Sequence, residues 1–468
     1  MRNCRGRLFG LLAGLLMPAH LGAQTTGSRP VVASPWEASG PPVRVRHQYG
    51  LRECLALAQR NYPKIAEAKA KLDRKRGERQ QASFAPFADL SATAGLGPAP
   101  TVRGTSLYSP NADVALSRDM ALAWQVGVDG TLPLWTFGKL DSVRRAADAN
   151  VRVGQQEVRQ AQNEGKLAVR RAYYGAQLAR DSRELVREAM RRIDQQLGSL
   201  ARRVESGDAD EVDLIKARMH RAELTARASE ARKQERLALS GLKFLTGVKG
   251  TFSIPDQPLR QAAHQLRPLA TYLAAARLHR PEVNMARAGV LAKRAQLELE
   301  RSRFFPDVGV SLYWRWARAP EVTDQRNPFV VDSGNYHRYG AHFGLRWKLD
   351  FLSQSARLQQ AKADLEQMRA VEQYALGGVA VEVEHAFEEA HDAARRMAAY
   401  DRAVGYARQW LIKIQQGIDV GMREEEDVID PAKEYALKRF SLLSATLDYN
   451  LAVARLALAT GWDGLVRD

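Results

Sequence analysis

The sequence predicts a mainly α-helical protein with a smaller β component, built as a tandem duplication. Its composition is rich in Ala, Leu, Arg, Glu and Gln, with only 7% aromatic residues, which favours helices. Four separate stretches alternate apolar and polar residues with period two, the mark of strands. Four landmarks also recur at one offset. Gly207 and Gly421, Asp213 and Asp427, Tyr173 in RRAYYGA and Phe387 in EHAFEEA, and Gly247 in FLTG and Gly461 in LATG are all 214 positions apart. Such constancy marks duplication. Upstream the offset drifts: Pro63 answers Pro281 at 218 and Pro86 answers Pro306 at 220, so insertions fall early in the unit, where loops accept them.

At the start of the chain, Arg2, Arg5 and Arg7 precede an apolar run from Leu8 to Met17 and small residues up to Ala23. That order reads as a secretory signal peptide over residues 1–23, since the apolar run is too short to span a bilayer. Its removal leaves Cys54 as the single cysteine, so no intramolecular disulfide can form, which suits a bacterial envelope protein. The net charge is +17, and three of these charges are the leader arginines. Lys and Arg are scattered beside Glu and Gln without the interleaved aromatics of a base-stacking surface, so no nucleic acid is expected as a partner. Solvated helix faces explain the charge, and attraction to lipid phosphates is the sharper reading. After the leader no run of about 18 uncharged apolar residues occurs, which argues against a helical membrane protein and leaves a membrane β-barrel open.

A Pro- and Ser-bearing segment at 24–47 reads as flexible. The first repeat, 48–247, opens with a helical stretch over about Leu51–Ser83 and continues with strands at about 87–97 and 121–135. A long helix then runs to a turn near Gly207, and a further helix ends the repeat. A linker at 248–267 leads to the second repeat, 268–461. There the helical stretch over about Ala270–Arg303 precedes strands at about 306–318 and 338–351, a long helix, a turn near Gly421 and a last helix, before a tail at 462–468. The alternation is clearest in Val308, Val310, Leu312, Trp314 and Trp316, set against Gly309, Ser311, Tyr313 and Arg315. An apolar face bearing Trp and Tyr near the strand ends, opposite a face with Arg, Lys, Asp and His, fits apolar-out, polar-in barrel strands. A soluble sheet packed on one side is the alternative. Four strands cannot close a barrel of useful size, so a barrel would be shared between chains.

Val186, Met190, Ile193, Leu197, Leu200 and Val204 keep a coiled-coil spacing within the first long helix. At 1.5 Å per residue that helix is about 100 Å long, close to the two shorter helices of its repeat laid end to end. Gly207 and Gly421 then mark the far tips, where a permissive backbone lets the chain reverse.

Together, LRECLALAQRNYPKIAEAKAKL, LPLWTFGKLDSVRRA, RRVESGDADEVDLIKAR, FFPDVGVSLYW and VGMREEEDVIDPAKEYALKRFSLLSATLDYNLAVARLALATG resemble the TolC family of outer-membrane channel proteins, over about Gln48–Gly461. The resemblance implies a homotrimer in the outer membrane of a Gram-negative-type cell. Twelve shared strands would form a β-barrel there, continuous with a periplasmic α-helical barrel that meets a periplasmic adaptor and an inner-membrane transporter. It also implies a gate at the second-repeat tip. By position, Gly421, Arg423, Asp427 and Asp430 fit that motif, and Asp213 is the first-repeat residue that would pair with Arg423. Threefold copies of Asp427 and Asp430 would form acidic rings. Simple helix capping is the competing reading of these carboxylates. Ile418 replaces the family's latch tyrosine, and Glu424, Glu425 and Glu426 add charge beside the ring.

Glu382 with His385 and Glu388 with His391 form Glu-x-x-His pairs, the kind found in di-iron bundles. Both pairs lie on one helix and cannot supply opposed halves of a site, so no metal, cofactor or catalysis is expected. No nucleophile elbow, phosphate-binding loop or zinc spacing occurs. A periplasmic coiled-coil scaffold or adaptor without a pore is the alternative function.

Overall fold

A computed structural model describes residues 47–85, 89–103, 115–322, 329, 332 and 334–465. The expected signal peptide, the N-terminal segment up to residue 46, residues 87–88 of the first expected strand and residues 466–468 of the tail lie outside the described residues.

Each repeat opens with two helices where the sequence suggests one. α1 (Leu51–Asn61) and α2 (Pro63–Phe84) are separated by Tyr62. Proline withholds an amide N–H and drives the residue before it out of the helical region, and Tyr62 is extended at ψ 120°. At the first position of α2 the missing donor costs nothing.

The β component is one antiparallel sheet of β1 (Asp89–Arg103), β2 (Ala115–Trp135), β3 (Asp307–Arg318) and β4 (Tyr336–Arg346), in the order β1-β2-β3-β4. Three extents differ from expectation, the first being β1, which runs on to Arg103 beyond residue 97. β2 begins at Ala115, earlier than residue 121, and β4 stops at Arg346 although the alternation continues through Trp347, Leu349 and Phe351. Arg346 pairs with Asp307, the first residue of β3, so beyond it no partner strand remains. Trp347 instead donates its indole N–H to the Phe304 carbonyl at 3.0 Å.

The register gives the sheet two chemically distinct faces. One carries Leu90, Leu96, Leu122, Val128, Leu312, Tyr339 and Phe343, and it is open: Leu96 is 72% and Phe343 81% exposed. The opposite face carries Ser91, Thr93, Gln125, Asp129, Ser311, Arg315, Arg338 and His342.

α3 (Lys139–Glu205) spans 67 residues and packs on α2 and on α4 (Glu211–Thr246). In the second repeat, α5 (Leu269–His279) and α6 (Pro281–Ser302) break at the extended Arg280 in the same way as α1 and α2. α7 (Phe351–Asp419) spans 69 residues against α6 and α8 (Ile429–Thr460). α6 and α8 also touch α3, which joins the repeats. One core gathers Val169, Tyr173, Leu242, Ile254 and Leu451, and the other Tyr272, Val283, Val383, Tyr449 and Leu456.

The end of each repeat seats on the break in its opening helix pair. Asn61 donates its amide to the Thr246 carbonyl at 2.7 Å, and buried Arg280 donates to the Leu458 carbonyl at 2.6 Å and to Glu382 at 2.7 Å. Gly461, left-handed at φ 67°, allows the close approach: a Cβ there would lie 2.6 Å from the His279 carbonyl oxygen.

The inter-repeat segment is fastened along its length. Arg180 donates to the Pro255 carbonyl at 2.6 Å, Asp181 accepts from the Leu259 N–H at 2.8 Å, and buried Asn450 holds Arg260 and Ala262, each at 2.8 Å. Burial pushes the Asp181 carboxyl above the ordinary carboxylate range.

Candidate functional site

Both helical tips use the same backbone device. α3 ends in Gly207 at φ 81°, whose N–H donates to the Val204 carbonyl at 3.1 Å while the Asp208 N–H reaches Arg203 at 2.7 Å. α7 ends in Gly421 at φ 74°, with Gly421 N–H to Ile418 at 2.9 Å and Met422 N–H to Gly417 at 2.8 Å. These are paired Schellman closures, and the left-handed residue they require explains the repeated glycine.

Beyond the closures the tips diverge. In the first repeat Asp210 caps α4, accepting from the Val212 N–H at 2.9 Å, and Asp213 in the first turn accepts from Lys216 at 2.8 Å. In the second, a 3-10 turn over Glu425–Val428 precedes α8, which begins without a side-chain cap. Among the described residues Asp427 accepts no capping hydrogen bond from α8. Its carboxylate faces Arg423 at 3.7 Å, with side chains 41% and 57% exposed, a separation and exposure worth well under about 1 kcal/mol. Asp430 is exposed in the first turn of α8, where negative charge suits the helix N-terminus.

The expected Asp213–Arg423 pair is not formed within one chain among the described residues: Asp213 meets Lys216 and Arg423 meets Asp427. The turn at Gly421 folds the Arg423 stem back over α7, where a Cβ on Gly417 would lie 2.8 Å from Arg423 Cγ. This places Arg423 within reach of its own i+4 carboxylate. Around the tips Val212, Ile215, Met219, Val420 and Met422 are exposed.

The Glu-x-x-His residues do not converge. Glu382 is held by Arg280, His385 approaches Glu389 at 3.9 Å, and His391 stacks on Phe387. No group of three or more His, Cys, Asp or Glu side chains among the described residues could hold a metal ion.

The beginning of the expected tail is anchored. Asp463 accepts from Lys166 at 2.7 Å and from buried Arg170 at 2.9 Å, tying the C-terminal end to α3. Burial alone would raise the Asp463 carboxyl, but the two cations hold it below its ordinary range. Sequence reasoning missed this clamp, and no local pattern around Asp463 announces it.

Residues 54–248 and 272–462 match the family of outer membrane efflux proteins, one match in each repeat. The chain belongs to that family. This outer membrane efflux protein is 24% identical over 335 residues to the alkaline protease secretion protein AprF of Pseudomonas aeruginosa, covering 70% of this chain and 68% of AprF. It is 26% identical over 340 residues to the protein CyaE of Bordetella pertussis, covering 71% of this chain and 67% of CyaE. Its fold matches the open-state MtrE outer membrane channel of Neisseria gonorrhoeae with a TM-score of 0.72 at 16% identity, over 89% of this chain and 90% of that one. The efflux protein thus resides in the outer membrane and extends into the periplasm.

Proposed function

We propose that three copies of this chain form the passive exit duct of a tripartite efflux or secretion system. The single observation that carries the reading is the sheet: one face is apolar and open, the other polar, and both β1 and β4 are left with an unpaired edge. Unpaired edges are untenable in hydrocarbon, whereas pairing β4 of each copy with β1 of the next closes twelve strands and removes every edge. The apolar face then meets lipid and the polar face lines the lumen. A pore-free periplasmic scaffold or adaptor gives the open apolar face no role.

The long helices continue this barrel as a periplasmic coiled-coil tube, ending at Gly207 and Gly421. There Asp427 and Asp430 form acidic rings that close the tip, with Arg423 and Asp213 as the basic and acidic groups that latch it. Intrachain Arg423–Asp427 contact makes Arg423 the movable element: at 3.7 Å and half-exposed, it can be exchanged for a neighbouring carboxylate at little cost. The exposed apolar side chains around the tips supply a docking surface for a periplasmic adaptor, and the inner-membrane transporter provides the energy. AprF, a protease secretion protein, favours secretion among the possible duties. The duct moves solute without bond chemistry, so the protein is read as a conduit and not an enzyme.

Single-channel conductance in a planar bilayer tests this. The wild type is expected to give small, cation-selective currents that grow and lose their cation preference in the Asp427→Ala, Asp430→Ala double variant. Absence of a pore from detergent-purified trimer would remove the duct reading. A pore indifferent to both substitutions would remove the gate alone.

A further inference from the structure

The polar face of the sheet carries charge of both signs, Asp89, Asp129 and Asp307 with Arg315, Arg338 and Arg346, and two of its arginines face each other. In register, Arg315 of β3 stands directly opposite Arg338 of β4, and the same row continues through Gly127 to Thr93. Like charges directly opposite on an antiparallel pair destabilise a sheet unless something offsets them.

Within the chain the offset is partial. Arg315 donates to Asp129 at 3.0 Å and remains 56% exposed. Arg338 has no carboxylate partner among the described residues, and its guanidinium lies 4.5 Å from the Tyr336 ring centroid. Stacking on an aromatic face orients a guanidinium while leaving its N–H fork available. The glycine beside Arg315 keeps that side of the row low. Further out, at Ala121 on the same face, Ala319 and Val322 of the segment after β3 pack against the sheet, so the chain itself covers the polar face there. About 13 Å of strand separates Arg315 from Ala319. The arginine row therefore lies just inside the part of the face that this segment covers.

We propose that Arg338, assisted by Arg315, is an anion-selecting constriction in the exit channel that recognises carboxylate or phosphate groups on the transported solute. This rests on the trimeric duct proposed above. Each copy contributes one cation that Asp129 does not neutralise, and the planar fork of Arg338 matches carboxylate and phosphate oxygens two at a time. The duct then carries acidic rings at its periplasmic tip and one basic row within the membrane.

The test is the potassium-to-chloride permeability ratio of single channels, with block by pyrophosphate added from the extracellular side. Arg338→Gln is expected to raise the ratio about threefold, as a charged ring is removed from the lumen. Pyrophosphate block should weaken about tenfold, the equivalent of one lost charge-assisted pair. Arg338→Lys keeps the charge and loses the fork, so the ratio should hold while block weakens. Because either change relaxes or preserves the opposition to Arg315, neither should impair folding. If Arg338→Gln channels show the wild-type ratio and the wild-type block, the inference is overturned and the duct stands. Failure of the wild type to conduct overturns both.

Discussion

Replacing Gly461 by alanine should destabilise the protein far more than replacing Gly421, although both end a helix in the same left-handed conformation. At Gly421, φ is 74° and nothing lies within 4 Å of an added Cβ. The cost there is the left-handed strain of an L-residue, about 1–2 kcal/mol, less the few tenths to about 1 kcal/mol gained by restricting the unfolded chain. At Gly461, φ is 67° and the added Cβ would meet the His279 carbonyl oxygen at 2.6 Å and Arg280 Cα at 2.8 Å. Both are backbone atoms, so α8 or the α5–α6 break must move, adding about 1–3 kcal/mol of overpacking. Arg280, which donates to Leu458 and Glu382, would be displaced with it. The two variants should thus differ by about 1–3 kcal/mol. Thermal unfolding followed by helical circular dichroism in detergent reads this, with protein concentration held fixed because assembly is coupled to stability. Equal midpoints for the two variants would refute the claim that the end of α8 is pressed onto that break.

Two further outcomes follow from the same structure. Phe343→Arg places a charge on the open apolar face and should cost about 2–4 kcal/mol per chain in lipid, so the yield of membrane-extracted protein should fall; Ser311→Arg, on the opposite face, should leave yield intact. Similar yields for both would undo the assignment of faces. Asp181, with its carboxyl pushed up by burial, binds its proton more tightly when folded, so its contribution to stability is full below the ordinary aspartate range and is lost as pH rises through the raised value. Asp181→Asn, which can still accept from Leu259, should flatten the melting temperature against pH across that window and be the more stable form at neutral pH. An unchanged slope would count against it.

What the sequence made legible was local chemistry repeated. Gly207 and Gly421 announce their turns because only glycine takes that φ cheaply, and the duplication shows through them without any alignment. The strands are visible because alternation persists for many residues. The breaks before Pro63 and Pro281 were open to inspection, since proline disfavours the helical conformation at the residue before it. The end of β4 was not, because it depends on how far β3 reaches, a fact written elsewhere in the chain. Asn450 and Arg180, which fasten the inter-repeat segment, sit within helical stretches where polar residues read as solvated faces. The opposition of Arg315 to Arg338 needs the register, which neither strand states alone. At the tip, Arg423 could be placed by position, yet its partner within the chain followed from the direction in which the turn throws its stem.

The middle of the sheet is a seam between the two repeats. β2 pairs with β3, and Trp135 is separated from Asp307 by about 170 residues of helix and linker whose closure must be completed first. The β1–β2 ribbon precedes the second repeat in the chain and so is synthesised before it. Two strands alone are barely stable in water, and this ribbon bears the exposed leucines. Only when the second repeat arrives can four strands align, and even then each chain offers an unfinished margin on both sides. On the trimer proposed above, entry into the bilayer waits on pairing between copies. The helices find their partners within the same chain, whereas among the described residues β1 and β4 each keep one edge that only another copy of the proposed trimer would cover.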